Sequence, residues 1–181
     1  MLFAIWVEFV KALWIVIPAY AANAFPPLAR GKTPIDFGKN FYDKQRIFGD
    51  GKTIEGFLLG IFVGTLVGVL EAYLYPGFNI YAAQFGVQLP YMSLFVGFMI
   101  ALGALCGDLG GSFIKRRLKL PRGADAPLLD QLNFVIGALI FAYAFTQISA
   151  FMIIIMLVIT PIIHRLACMC GHILKIKREP W

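Results

Sequence analysis

The stretch from Gly107 to Asp130, GDLGGSFIKRRLKLPRGADAPLLD, concentrates charge in a chain that is otherwise mostly apolar. If the apolar run before it is helical, four polar residues spaced about one turn apart share a helix face: Asp108, Ser112, Lys115 and Lys119. A face that combines a carboxylate, a hydroxyl and two ammonium groups suits a metal-bound phosphate. The acidic end of this stretch is predicted to lie at membrane depth.

The composition indicates an integral membrane protein. Of the 181 residues, 60% are hydrophobic and 14% are charged, and the mean hydropathy is +0.78. A soluble domain carries about 25% charged residues, so the ordinary soluble classes are excluded. The net charge of +6 is typical of basic cytoplasmic loops and does not indicate a nucleic-acid partner.

The apolar runs predict an all-α polytopic membrane protein, a single domain over residues 1–181 with five transmembrane helices. The predicted spans are residues 2–27, 54–75, 91–112, 127–146 and 149–165. The last two come from one apolar run that is too long for a single crossing of about 20 residues. Two charged loops, residues 28–53 and 113–126, are predicted to carry function.

The basic residues predict the orientation in the membrane. They cluster in the two loops and in the C-terminal segment: Arg30, Lys32, Lys39, Lys44, Arg46 and Lys52, then Lys115, Arg116, Arg117, Lys119 and Arg122, then Arg165, Lys175, Lys177 and Arg178. Residues 75–90 carry no charge. The positive-inside rule therefore places both loops, the C-terminus and the site in the cytoplasm, and the N-terminus outside the cell membrane.

Glycines recur every fourth position in two of the predicted spans: Gly56, Gly60, Gly64 and Gly68 in the second, and Gly103, Gly107 and Gly111 in the third. Such repeats let helix backbones approach closely in a bilayer. The principal expectation is helix packing, and a homodimer through a glycine face is a further one. Gly107, Gly110 and Gly111 are also placed to leave room for a ligand beside Asp108.

Asp108 and Asp130 are candidate metal ligands. An ionisable residue at membrane depth is expensive and is a functional candidate by default. Two carboxylates that converge from facing helices hold a divalent cation, which in turn binds phosphate oxygens. The alternative for each is an ion pair with a neighbouring Arg or Lys, and the residues alone leave both open.

The first loop, GKTPIDFGKNFYDKQRIFGDGKTIEG from Gly31 to Gly56, strengthens the expectation of phosphate binding. The element Gly51-Lys52-Thr53 is similar to the end of a P-loop, but Arg46 stands where that motif requires its first glycine. What remains is a glycine-rich backbone with Lys52 and Thr53 at the start of a helix, where free N–H groups favour an anion. The alternative is a basic loop that faces lipid headgroups.

Three elements, in order, resemble the CDP-diacylglycerol synthases, the CTP-dependent phosphatidate cytidylyltransferases. They are Lys52-Thr53-Ile54-Glu55-Gly56, then Gly107-Asp108 with Ser112 and Lys115-Arg116, then Leu128-Leu129-Asp130. The chain departs from that pattern in three ways. No Lys-Asp pair follows Arg116, Asn133 stands where the bacterial enzymes tend to carry an aspartate, and the chain is much shorter.

A short five-span chain with a PIDFGK and a RIFGDGKT element is more similar to the archaeal branch, the CDP-archaeol synthases, over nearly its whole length. This resemblance implies Mg²⁺-dependent transfer of a cytidylyl group from CTP to digeranylgeranylglyceryl phosphate, an isoprenoid ether-lipid phosphate. It implies Asp108 and Asp130 as Mg²⁺ ligands and, with Lys115 and Arg116, as catalytic residues. It also implies a set of CTP- and phosphate-binding residues: Gly51, Lys52, Thr53, Glu55, Gly107, Gly111, Ser112 and Asn133.

Other functions stay open at this stage. A CDP-diacylglycerol synthase would act on phosphatidate, and a CTP-dependent polyprenol kinase would release CDP instead of pyrophosphate. A small membrane transporter would explain the hydropathy and the glycines, but not two glycine-rich basic loops with acidic residues at depth. A zinc site from His164, Cys168, Cys170 and His172 lacks a standard spacing, and packing at the membrane interface is the alternative.

Overall fold

The computed structural model describes residues 2–175, which fold into five α-helices. They are α1 (Leu2–Ala24), α2 (Ile54–Ala83), α3 (Leu94–Arg117), α4 (Leu129–Ala142) and α5 (Ala150–Ile173), and a short 3-10 turn, Pro26–Ala29, follows α1. Within these residues the only β-structure is a pair of isolated bridges in the first loop. The all-α prediction is therefore confirmed.

Four of these helices, α1, α2, α3 and α5, are long and apolar enough to cross a membrane. The remaining helix, α4, is apolar but has only 14 residues. Its length is about 21 Å at 1.5 Å per residue, less than a hydrocarbon core of about 30 Å. The predicted fourth span, residues 127–146, is thus a shorter helix than a full crossing requires, since the chain leaves the helix after Ala142.

Two helices run further than the predicted spans. α2 continues past residue 75 to Ala83 because Pro76 lies inside the helix and does not end it, as membrane helices tolerate. α5 likewise contains Pro161 and continues past residue 165 to Ile173. The His and Cys residues of the C-terminal segment therefore lie on α5, whereas Lys177 and Arg178 lie outside the described residues.

α3 differs from its predicted span, residues 91–112, at both ends. It begins after Ser93, whose hydroxyl accepts a hydrogen bond from the Val96 amide at 3.2 Å, and it ends at Arg117. Lys115 and Arg116 were expected in the loop 113–126, but they form the last turn of α3. Cations there complement the partial negative charge of the helix C-terminus.

The glycines of α2 pack against α1 and α3. A methyl group at Gly64 would meet the carbonyl oxygen of Pro18 at 2.9 Å and the side chain of Ala101 at 2.7 Å, and one at Gly68 would meet the backbone of Gly97. The α2 repeat therefore lets three helix backbones approach closely, as the packing interpretation predicts.

The glycines of α3 face a different neighbour. A β-carbon at Gly103 or Gly107 would meet the backbone of Gly137 or Asn133 of α4, respectively, and one at Gly111 would meet the side chain of Asn133. The two glycine repeats thus do not pack against each other, and both make contacts within the chain. A homodimer stays a prediction, and its interface would have to use other residues.

The two charged loops lie at the same end of the bundle. Lys52 of the first loop contacts Asp108 of α3, and Arg165 of α5 contacts Asp125 of the second loop at 3.4 Å. At the opposite end, Thr146 donates a hydrogen bond to the carbonyl oxygen of Tyr91. This arrangement agrees with the predicted topology, while the side of the membrane that each end faces stays a prediction.

Candidate active site

The first loop begins and ends at the same point. The Ile35 amide donates to the carbonyl oxygen of Lys52 at 2.8 Å, and the Ile54 amide donates to that of Thr33 at 2.9 Å. Thr53 then caps α2, because its hydroxyl accepts the Gly56 amide at 3.2 Å. Lys52 is thereby fixed between a paired backbone segment and a helix start, the place the sequence predicted for phosphate binding.

Asp36 organises the interior of this loop. Its side chain is fully buried and accepts five hydrogen bonds: two from Arg46 and one each from the amides of Gly38, Phe48 and Gly49. Although burial alone would raise the pKa of Asp36, Arg46 and the three amides hold that pKa well below its usual value.

Arg117 attaches the loop to α3. Its guanidinium pairs with Asp43 at 2.7 Å and donates to the carbonyl oxygen of Arg46 at 2.6 Å. The same group lies over the rings of Phe41 and Phe113, at 4.9 and 4.6 Å from their centroids. Such a planar fork stacks and donates at the same time, which an ammonium group cannot do.

The two candidate metal ligands each pair with a lysine in this structure. Lys52 Nζ donates to Asp108 Oδ2. Lys115 Nζ lies 2.7 and 3.0 Å from the two carboxylate oxygens of Asp130, and the Ala126 amide also donates to Asp130 at 3.1 Å. One ion pair therefore joins the first loop to α3, and the other joins α3 to α4.

Two arginines lie against the glycine-rich turn before Lys52. The side chain of Arg116 passes Gly49, where a β-carbon would be 3.7 Å from it, and that of Arg122 passes Gly51 at 3.6 Å. Arg116 Nε is buried without a hydrogen-bond partner among the described residues. An unpartnered buried guanidinium N–H beside a side-chain-free backbone is suited to an anionic ligand.

Asn133 supplies a further side-chain oxygen on α4. Its side chain packs on Gly111 of α3, one turn from Asp130 on α4, and its Oδ1 is buried without a partner in the described part of the chain. Asp and Asn oxygens are the donors that Mg²⁺ prefers. Over residues 2–175, no group of three or more His, Cys, Asp or Glu side chains forms a ready metal cluster. Two carboxylates and one unpartnered amide oxygen are donors of the type that a hard divalent cation takes when a phosphate supplies further ligands.

Comparison with known proteins decides the family. The family model for CarS-like CDP-archaeol synthases matches residues 4–181. The CDP-archaeol synthase of Pyrococcus abyssi is 47% identical over 94% of this chain and 97% of its own length, and that of Methanocaldococcus jannaschii is 45% identical over 94% and 96%. The chain belongs to the CDP-archaeol synthase family.

A solved structure agrees. It is described as an intramembrane enzyme for archaeal membrane lipids biosynthesis, is 39% identical, and matches with a TM-score of 0.74 over 88% of this chain and 93% of that one. Membership of the CDP-archaeol synthases thus confirms the resemblance found in the sequence. It also makes this chain a multi-pass membrane protein.

The remaining residues predicted for the site differ in whether the structure places them on the predicted helix face. Glu55 accepts the amides of Lys32 and Thr33 at 3.2 Å, so it holds the loop entry. Ser112 lies on α3 one turn after Asp108, while Lys119 has left the helix with φ +57°. Lys119 is therefore not on the predicted face.

The four residues considered for a zinc site all lie on α5: His164, Cys168, Cys170 and His172. Cys168 Sγ is 3.7 Å from His164 Nδ1, and the His164 ring packs on Phe134 with a centroid distance of 6.0 Å. These contacts match the packing alternative.

Two features that shape the site were not predicted from the sequence. Asp36 and Arg46 meet across ten residues of loop, and Arg117 was counted only as a basic loop residue. One local signal was available for Asp36: an Asp two residues before a glycine commonly accepts that glycine's amide, as Asp36 does from Gly38 at 3.1 Å. Nothing in the pattern marked Arg117.

Proposed function

We propose that this chain is a Mg²⁺-dependent cytidylyltransferase that joins the cytidylyl group of CTP to an isoprenoid ether-lipid phosphate. The products are a CDP-lipid of the CDP-archaeol type and pyrophosphate. The proposal follows the family to which the chain belongs, and the names of its relatives state the same synthase.

The observation that carries the proposal is the contact of Lys52 with Asp108. Lys52 belongs to the K-T-x-E-G element and Asp108 to the G-D-x-x-x-S-x-x-K-R element, which lie far apart in the sequence. Their contact supports one site in which the two elements act on the same phosphates. Lys115 and Asp130 extend that site to α4.

The chemistry brings several negative groups together. An ionised oxygen of the lipid phosphate attacks the α-phosphorus of CTP, a new P–O bond forms, and the bond to the β-phosphate oxygen breaks to release pyrophosphate. Because the monoester is ionised near neutral pH, the step needs no strong general base. It needs positive charge that lowers the repulsion and stabilises the leaving group.

The cations of the site are placed for that task. Arg116 and Arg122 flank the backbone of Gly49 and Gly51, where the triphosphate can approach without a side chain in its path. Lys52 stands at the N-terminus of α2, whose free N–H groups favour an anion. We assign the CTP phosphates to this turn and the lipid phosphate to the neighbourhood of Lys115.

Asp108 and Asp130, assisted by Asn133 Oδ1, would hold Mg²⁺. Bound there, the metal would neutralise phosphate charge and orient the triphosphate. Lys52 and Lys115 would then exchange their carboxylate partners for phosphate oxygens.

The membrane supplies the lipid from the side of the bundle. The headgroup would lie at the loop end, which we place in the cytoplasm of the cell because the basic residues concentrate there. The isoprenoid chains would run along the apolar helix faces.

Pyrophosphate release tests the proposal. Purified protein in detergent with Mg²⁺ is given each of the four ribonucleoside triphosphates, with an ether-linked isoprenoid phosphate or an ester phosphatidate. Release with CTP alone, and faster with the ether lipid, is expected. Faster release with phosphatidate would favour CDP-diacylglycerol synthesis. No pyrophosphate from folded protein with any pair would refute both cytidylyltransferase functions and favour the kinase or the transporter.

A further inference from the structure

Asp36 is the most enclosed acidic side chain of the first loop. Its side chain is 0% exposed, whereas those of Asp43 and Asp50 are 39% and 61% exposed. None of its five hydrogen bonds involves a side chain assigned to metal binding or catalysis, so its part in the reaction has to be indirect. A buried charge is expensive unless it is paired and hydrogen-bonded, and this loop supplies all of those partners.

We propose that Asp36, held by Arg46, is a positioning residue that acts through Lys52. By fixing residues 48–52, it sets the place from which Lys52 reaches Asp108. The inference rests on the proposed cytidylyl transfer, because Lys52 is assigned there to the phosphates of CTP.

The path from Asp36 to Lys52 is short and continuous. Asp36 Oδ2 accepts the consecutive amides of Phe48 and Gly49, at 2.9 and 2.8 Å. Gly49 has φ +91°, a conformation that favours glycine, so the chain turns at this residue. The Lys52 amide then donates to the Gly49 carbonyl oxygen at 3.2 Å, which closes the turn on Lys52 itself.

Arg46 fixes both sides of the same turn. It donates to Asp36 through Nη2 at 2.5 Å and Nε at 3.3 Å, and through Nη1 to Asp50 at 2.5 Å. All groups that face Asp36 are donors, so only a carboxylate satisfies them. Asn at position 36 would keep the volume but point an NH₂ group at a donor, and the turn would lose its anchor.

A double-mutant cycle separates this role from general loop stability. Asp36→Asn is made in the wild type and in Lys52→Met, and kcat/KM for CTP, KM for the lipid phosphate and Kd for CTP are measured in each. The Kd readout keeps the cycle measurable if Lys52→Met lowers turnover below detection. Asp125→Asn, an acid of the second loop with one ion pair at 3.4 Å, is the matched control.

In the wild-type background, Asp36→Asn is expected to lower kcat/KM for CTP by about 10- to 100-fold, the range seen when a group that orients a ligand-binding residue is lost. KM for the lipid should change less than about threefold. In Lys52→Met the same substitution should change kcat/KM and Kd for CTP less than about threefold, because the residue it acts through is already gone.

Trypsin cleavage at Lys39 and Lys44 gives a readout that needs no turnover. We expect at least about tenfold faster cleavage in Asp36→Asn, because local opening follows the loss of its hydrogen bonds. If Asp36→Asn does not fold, Arg46→Lys replaces it, since lysine keeps the charge but not the fork.

Equal losses in both backgrounds, unchanged wild-type-background activity, or unchanged cleavage would each overturn the positioning role. Those outcomes leave the proposed function standing. Absence of CTP-dependent turnover in the wild type would overturn the proposed function and this inference with it.

Discussion

Lys52 and Asp108, 56 residues apart in the sequence, form an ion pair between the first loop and α3. The pair joins the element that begins at Lys52 to the element that begins at Gly107. Each group also compensates the charge of the other at the end of an apolar bundle, where an unpaired charge is expensive. The two side chains therefore hold each other in place in this structure, and under the proposed function they would exchange partners when CTP and Mg²⁺ bind.

Asp108→Asn should abolish most turnover while it leaves the fold intact. The amide keeps the volume and its hydrogen bond to Lys52 but removes the negative charge that a metal needs. We expect kcat to fall by at least about 100-fold, comparable to the loss of a principal electrostatic group at a reaction centre. Pyrophosphate release measures this loss, and circular dichroism with thermal unfolding in detergent checks the fold.

Asp130→Asn tests the other half of the same site and should behave alike. Asp125→Asn serves as the control for the removal of an acid at this end of the bundle, and its activity should stay within about twofold of wild type. If both Asp108→Asn and Asp130→Asn kept near wild-type activity, the metal assignment would be wrong.

Arg117→Lys should loosen the loop from α3. Lysine keeps the charge but cannot lie flat over the rings of Phe41 and Phe113 while it pairs with Asp43 and donates to the Arg46 carbonyl oxygen. Loss of a hydrogen bond to a charged group costs about 1.5–3 kcal/mol, so KM for CTP should rise by at least about tenfold. Steady-state kinetics measure it, and Arg165→Lys, which replaces an exposed arginine with one ion pair at 3.4 Å, is the control. An unchanged KM in Arg117→Lys would contradict the docking role of this residue.

The helices and the site's principal charges could be predicted from the sequence because they depend on local patterns. Apolar runs indicate membrane helices whatever their neighbours are. The charged residues of the site belong to short sequence motifs: Lys52, Asp108, Lys115 and Asp130. Helix ends were less accessible, since Pro76 ends a helix in water but is tolerated when the surrounding helices satisfy the backbone.

Contacts between loops could not be predicted in the same way. Arg117 binds carbonyl oxygens, which every residue carries, so no side-chain type marks its partner. Glycine spacing showed that α2 and α3 each approach some helix closely, but it did not show which one. That choice depends on how Gly103 and Gly107 meet Gly137 in three dimensions.

The low pKa of Asp36 predicts how the first loop responds to acid. A carboxyl group with a folded pKa below its unfolded value of about 3.9 binds fewer protons in the folded state. Its contribution to stability is thus complete above about pH 4 and is lost as the pH falls below that value toward the depressed pKa of the folded state.

Hydrogen exchange of the peptide covering residues 47–52, corrected for intrinsic rates, checks this pH dependence. Protection should be constant from about pH 8 to pH 5 and should fall only below about pH 4. In Asp36→Asn the protection should be low throughout and lack this acid step. A step near neutral pH in the wild type would mean that another group controls the turn.

Because α2 and α3 approach closely at Gly68 but not at Gly77, we expect alanine substitutions at these two positions of α2 to change protein stability in opposite directions. A methyl group at Gly68 would meet the Gly97 backbone, whereas one at Gly77 has nothing within 4 Å. Gly68→Ala forces two backbones apart, which we expect to destabilise the protein by about 1–3 kcal/mol. Gly77→Ala should be neutral or stabilise by up to about 1 kcal/mol, because alanine is the better helix former. Thermal unfolding of both variants in one detergent measures the difference, and an equal or larger loss in Gly77→Ala would show that the α2–α3 contact does not limit stability.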